Sequence, residues 1–185
     1  MGSTSRQKAL AIALAQALEA TNGLEFDREV RARRPDITVV RFDGRFSASA
    51  VPQILMAAAD ADRIVLATYV VHGAARQAAV NGKPTSYFGL RGPSGELFQQ
   101  IVTKYPAKTV VIALGSRYLI ESFPQIQTYI CTYAMASTSE ISAVKALFGE
   151  LQNHAKLPVT LPGIALRGFS PPWPTRALDQ LSSTL

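Results

Sequence analysis

The sequence predicts an α/β fold, a three-layer α/β/α sandwich on a mostly parallel sheet of about five strands. Two observations carry this. Short β-branched runs alternate along the chain with amphipathic stretches of helical length, the pattern of parallel βαβ units. Two of those runs, RIVLATYVV (Arg63 to Val71) and TVVIAL (Thr109 to Leu114), are apolar almost without a break. Strands covered by helices on both faces read this way.

The elements follow in order. MGSTSRQKALAIALAQALEA places two cations before an Ala/Leu run, as a short signal peptide does. Leu10, Leu14, Ala17 and Leu18 fall at helical spacing, however, so the segment is read as the first helix. TNG stops it, and a charged connector leads to Pro35. ITVVRF, Ile37 to Phe42, is a strand ending in the turn Asp43-Gly44, and Val51 to Ala61 returns to helix. The connection from Val71 to Pro93 exceeds the ~15 residues beyond which structureless loops are usually functional. Its bland reading is a surface excursion with a short helix over ARQAAV.

SGELFQQIVTKY is a helix capped by Ser94, with Leu97, Ile101 and Val102 as its inner stripe. TVVIAL ends at Gly115, and TYICTY is the fourth strand. In MASTSEISAVKALFGE, Ser137 and Glu140 have the spacing of a capping box, and Ile141, Val144, Leu147 and Phe148 make the buried stripe. LPVTL is short and flanked by proline, which suits a sheet edge. Residues 1–170 form one sandwich domain, and 171–185 are a tail that begins irregular and finishes as a short helix.

Composition narrows the function classes. A chain of 185 residues buries roughly 70% of its unfolded surface and needs no disulfide staples. The single Cys131 leaves no intrachain disulfide and no cysteine metal cluster. The net charge of +6 is densest at Arg28, Arg31, Arg33 and Arg34. No aromatic residue interleaves them, so they read as a solvated helix face and no nucleic-acid partner is expected. No apolar run approaches the ~20 residues of a membrane span. No clear cleaved leader is read, which favours the cytoplasm and leaves the periplasm or secretion open.

The chemistry-bearing residues are sparse. His72 and His154 lie far apart, no ligand set completes a metal site, and no cofactor is expected. Gly115-Ser116 lacks the second glycine and the base of a nucleophile elbow. GLRGPSGE, Gly89 to Glu96, opens a helix with Arg91 among glycines but matches neither phosphate-loop pattern. Glu96 and Glu140 both fall in first helical turns, which favour the ionised carboxylate. A general acid needs the protonated form, so no catalytic residue is assigned. Open α/β sheets bind ligands beyond the carboxyl ends of their strands, which makes His72, Arg91, Arg117 and Tyr133 the candidate substrate-binding residues.

The run TVVIALGSRYLIESFPQIQTYICTYAMASTSEISAVKALFGE, with KLPVTLPG after it and DITVVRFDG and AADADRIVLATYVVHG before it, resembles the C-terminal α/β sandwich domain of family 3 glycoside hydrolases. The likeness is to the β-N-acetylhexosaminidase branch and spans most of residues 10–170. It implies a partner barrel, N-terminal in a longer protein, that carries the aspartate nucleophile and the histidine–aspartate acid/base pair. Such a barrel takes ~250 residues, more than this chain has. The resemblance therefore implies a non-catalytic domain, a scaffold or the wall of a sugar site, inactive alone. The acid/base glutamate of the glucosidase branch finds no matching motif here.

Two departures stand out. Arg117 replaces the proline usual in GSPY, and relatives open the domain with a strand where this chain is read as a helix after MGSTSRQKA. The sheet is thus expected to lack the family's first strand, and its open edge to favour a homodimer. Two other readings remain: a free-standing module for a small ligand (sugar or nucleotide), and an assembly protein using that edge.

Overall fold

The computed structural model describes residues 7–15, 22–45, 48–70, 79–80, 83–84, 86–87, 90–151 and 155–170. In chain order the elements are β1 (Ala9–Ala15), α1 (Leu24–Arg33), β2 (Thr38–Asp43), α2 (Val51–Asp60) and β3 (Arg63–Val70). Four two-residue strands follow: β4 (Ala79–Val80), β5 (Lys83–Pro84), β6 (Ser86–Tyr87) and β7 (Leu90–Arg91). Then come α3 (Gly92–Lys104), β8 (Thr109–Gly115), α4 (Leu119–Ser122), β9 (Thr128–Cys131) and α5 (Ser137–Leu147).

The main sheet has five strands in the order β2-β1-β3-β8-β9, and every neighbouring pair is parallel. The expected α/β sandwich is thus present. One layer packs Leu97, Phe98 and Ile101 of α3 and Ile54 of α2 onto Leu10, Ile12, Leu14 and Leu66. The opposite layer packs Phe26 and Val30 of α1 and Val144 and Leu147 of α5 onto Ala11, Ala13, Val65 and Ile112.

β1 corrects the sequence reading. The segment read as the first helix is a strand over its described part, and it pairs with β2 on one side and β3 on the other. The first strand is therefore present in the interior of the sheet, and the vacant edge expected to favour a homodimer is filled by β1 itself. The reason is steric. Leu10, Ile12 and Leu14 fill one face while Ala11 and Ala13 face α1 and α5. A Cβ added to Gly23, just before α1, would sit 3.0 Å from the Ala13 Cβ. Larger side chains on that face would push α1 off the sheet. Alanine is a strong helix former, and here burial on both faces overrides that preference.

LPVTL also departs from expectation. It adds no strand to the main sheet; residues 157–169 fold back on themselves, with Leu157 N–H on the Phe169 carbonyl at 2.8 Å and a bridge between Leu161 and Ala165. The expected count of five strands is met because β1 takes the place assigned to LPVTL. In the long connection, Ala79–Val80 and Leu90–Arg91 belong to short antiparallel ribbons. The helix read over ARQAAV is thus a strand at its last two residues, and the rest of it lies outside the described residues, as does the 171–185 tail.

The basic run lies on α1 and its end, where charge is paired. Arg31 meets Asp27, Arg33 meets Glu29 and Glu150, Arg34 meets Asp36, and Arg28 meets Glu25 and Glu29. No helix among the described residues is long and apolar enough to cross a membrane.

Candidate functional site

In a sheet of this order, the direction of strand addition reverses between β1 and β3, and ligands gather beyond the carboxyl ends there. His72, one residue beyond the predicted strand, lies outside the described residues, as does His154. Arg91 ends β7, paired with Ser86. Arg117 and Tyr133 do come together, in the loops that leave β8 and β9.

The geometry starts at Gly115. Its φ is +115°, and a Cβ there would lie 2.3 Å from the Val70 carbonyl oxygen. Only glycine lets the end of β8 press so closely on the end of β3. The next N–H, of Ser116, donates to that same carbonyl at 3.0 Å. Tyr129 of β9 then fixes the turn, its hydroxyl donating to the carbonyls of Arg117 at 3.2 Å and Ser116 at 3.4 Å. Burial pushes the Tyr129 hydroxyl far above the usual tyrosine range, so it stays a neutral donor.

On this held backbone the Arg117 guanidinium lies 4.6 Å from the centroid of the Tyr118 ring and 5.9 Å from that of Tyr133. Its Nη2 donates to the Tyr118 hydroxyl at 3.1 Å, and its Nε is buried without a partner. Each cation–π contact contributes about 0.5–1 kcal/mol. Tyr133 has a φ of +60°, a left-handed conformation unusual for a bulky side chain, and such strain gathers at functional positions. The bond from Thr132 Oγ1 to the Ala134 carbonyl, at 2.8 Å, holds that turn. Tyr133 and Met135 are exposed beside it, at 41% and 38%.

Cys131 lines a shallow groove between β9 and α5 together with Ile130, Thr138, Ala143 and Leu151. Burial raises its thiol pKa, although the Tyr133 backbone and Arg117 pull the other way. It is thus poorly suited to act as a thiolate nucleophile.

Glu140 corrects the capping-box reading. The N-cap of α5 is Ala136, with no side-chain bond there. The Glu140 carboxylate is buried and serves another helix, accepting the N–H groups of Gly23 at 3.0 Å and Phe26 at 2.8 Å at the start of α1. Its third donor is the Tyr69 hydroxyl at 2.7 Å. Three donors on one carboxylate describe a structural clamp. Glu96 is exposed on α3, across the sheet from α5, so the two carboxylates form no acid/base pair.

The glycine-rich start of α3 is also occupied. Gly44 donates its N–H to Ser94 Oγ at 3.1 Å, and a Cβ on Gly44 would meet the Ser94 backbone nitrogen at 2.9 Å. Gly44 thus closes directly on that nitrogen. Among the described residues no group of three or more His, Cys, Asp or Glu is placed to hold a metal ion.

Comparison with solved structures places the fold. A fungal multi-domain GH3 β-N-acetylglucosaminidase with a GCN5-related glucosamine N-acetyltransferase region matches over 92% of this chain and 17% of its own, with TM-score 0.61 and 19% identity. The fold is one that family 3 glycoside hydrolases carry. A GH3 β-N-acetylglucosaminidase from Paenibacillus sp. str. FPU-7 matches over 79% of this chain and 26% of its own, with TM-score 0.59 and 12% identity. The β-glucoside phosphorylase BglX, bound to 2FGlc, matches over 83% and 26%, with TM-score 0.51 and 14% identity. This chain therefore spans between 17% and 26% of each neighbour's length. No protein-family model matches the sequence, and neither does any curated protein.

Sequence reasoning located Arg117 and Tyr133 by position and missed the residues that hold them. Tyr118 and Tyr129 carry no motif, and their roles depend on how β8 and β9 pair. The sequence signal available was the aromatic density around TYICTY and GSRY.

Proposed function

We propose that this chain is a non-catalytic α/β sandwich domain of the kind found in family 3 β-N-acetylhexosaminidases, forming one wall of a sugar site beside a barrel domain. The observation that carries the reading is the match over 92% of this chain to a small part of a much longer β-N-acetylglucosaminidase. The Arg117–Tyr118–Tyr133 cluster supports it locally, because aromatic faces pack on sugar rings and guanidinium groups donate to their oxygens. The two carboxylates weighed as acids lie in opposite layers, and one is consumed by a structural clamp.

The purified chain is expected to release no chromophore above buffer from a chromogenic N-acetyl-β-glucosaminide. Measurable turnover, abolished by substituting a residue of this chain, would overturn the reading. A barrel-encoding segment adjoining this sequence in its reading frame is the matching genetic expectation.

A further inference from the structure

Most arginines whose partners are resolved sit on a carboxylate. Arg28, Arg31, Arg33, Arg34 and Arg45 each pair with Asp or Glu. Arg117 is held instead by the Tyr129 bond to its carbonyl and by the Tyr118 and Tyr133 rings, and no carboxylate among the described residues accompanies it. One N–H of Nη2 goes to the Tyr118 hydroxyl, and Nε is closed off from solvent. Among the described residues Nη1 has no partner, and it is not among the buried, unpaired atoms, which leaves the outer end of the guanidinium with donors open to a visitor. A partly buried cation without a counter-charge pays desolvation that an incoming anion offsets. Beside it, Tyr133 offers an exposed ring held in a left-handed backbone. The arrangement is one charge-assisted donor next to one aromatic face.

We infer that this cluster selects a sugar bearing a carboxylate, the acid group meeting Arg117 and the ring lying against Tyr133. The inference rests on the sugar-wall reading above and adds the charge of the sugar. Neutral sugars would use the ring face alone and bind more weakly. The neighbouring charge is favourable: within β8, β9 and the turns beyond them the sequence from Thr109 to Ser139 holds a single acidic residue, Glu121, which is exposed in α4.

The test is a titration of the 185-residue chain, followed by NMR of the arginine side-chain N–H and backbone amide signals, with glucuronate, glucose, N-acetylglucosamine and acetate as separate probes. Glucuronate is expected to shift the signals of Arg117, Tyr118 and Tyr133 and to saturate them at a concentration about tenfold lower than glucose does. Arg117→Gln should remove that tenfold preference while retaining the weak response to glucose. Tyr133→Ala should weaken all the sugars together and leave acetate unchanged. If Arg117→Gln perturbs the fold, Arg117→Lys provides the second variant, keeping the charge and losing the stacked plane, and should bind glucuronate several-fold more weakly.

Equal affinity for glucuronate and N-acetylglucosamine would overturn the acid preference and leave the sugar wall standing. Acetate binding as tightly as glucuronate would mean a bare anion site, and would overturn the inference too. No response of this loop to any sugar would overturn both the inference and the sugar-wall reading.

Discussion

The carboxylate of Glu140, at the start of α5, accepts the hydroxyl proton of Tyr69, at the end of β3, across 2.7 Å. The same carboxylate accepts two N–H groups at the start of α1. One side chain thus ties the sheet to both helices of one layer, close to the ends where the candidate site lies. Glu140→Ala would leave those donors buried and unpaired, and is expected to cost about 3 kcal/mol. Tyr69→Phe removes a single bond and should cost about 1 kcal/mol. Because both act on one network, the double variant should be less destabilised than the sum, as urea denaturation can read directly.

Ser137→Ala provides the complementary result. A serine that capped α5 would be worth about 1 kcal/mol, but Ser137 is exposed and the N-cap is Ala136 with no side-chain bond. The expected change is under about 0.5 kcal/mol. A loss of 1 kcal/mol or more in chemical denaturation would restore the capping-box reading.

Gly115→Ala should be among the most damaging changes in the chain. The methyl would lie 2.3 Å from the Val70 carbonyl oxygen at a φ of +115°. The end of β8 must then move away from β3, and the Arg117 turn with it. A loss of about 2–4 kcal/mol is expected in thermal or urea unfolding, together with loss of the Arg117 side-chain signal from its native position.

Alkaline pH should unfold the protein through its buried tyrosines. Burial, joined for Tyr69 by the Glu140 carboxylate, raises the hydroxyl pKa of Tyr69 and Tyr129 far above the ordinary 10.0. In the unfolded chain they ionise near 10, while in the folded chain they remain neutral. Stability is therefore complete below pH 10 and falls as pH rises above it. Of the six tyrosines, absorbance titration should show these two ionising only with the unfolding transition. Titration of all six before loss of the circular-dichroism signal would contradict the burial of both.

The legible part of the fold was the part whose period is unambiguous. RIVLATYVV and TVVIAL became β3 and β8 to within a residue or so, because near-continuous β-branched burial allows little else. β1 was misread although ALAIALA alternates small and large side chains with period two. Alanine and leucine also satisfy a helical pattern, and only the packing of Phe26 and Gly23 against Ala13 decides between them. Of the candidate positions, Arg117 and Tyr133 come together because both follow strand ends, and strand ends are legible. Tyr118, Tyr129 and the Glu140 clamp were not, since their partners are 12 and 71 residues away or set by a rotamer. A spacing rule such as the capping box assigns a local partner, and the long-range one won.

The most direct test of the central claim is saturation-transfer NMR of N-acetylglucosamine with this chain, run in parallel on Tyr133→Ala. The account predicts transfer to the sugar ring protons that falls several-fold in the variant, as a sugar lying on the Tyr133 face requires. No transfer to the native chain, or equal transfer to both proteins, would contradict a sugar-facing wall at the end of β9.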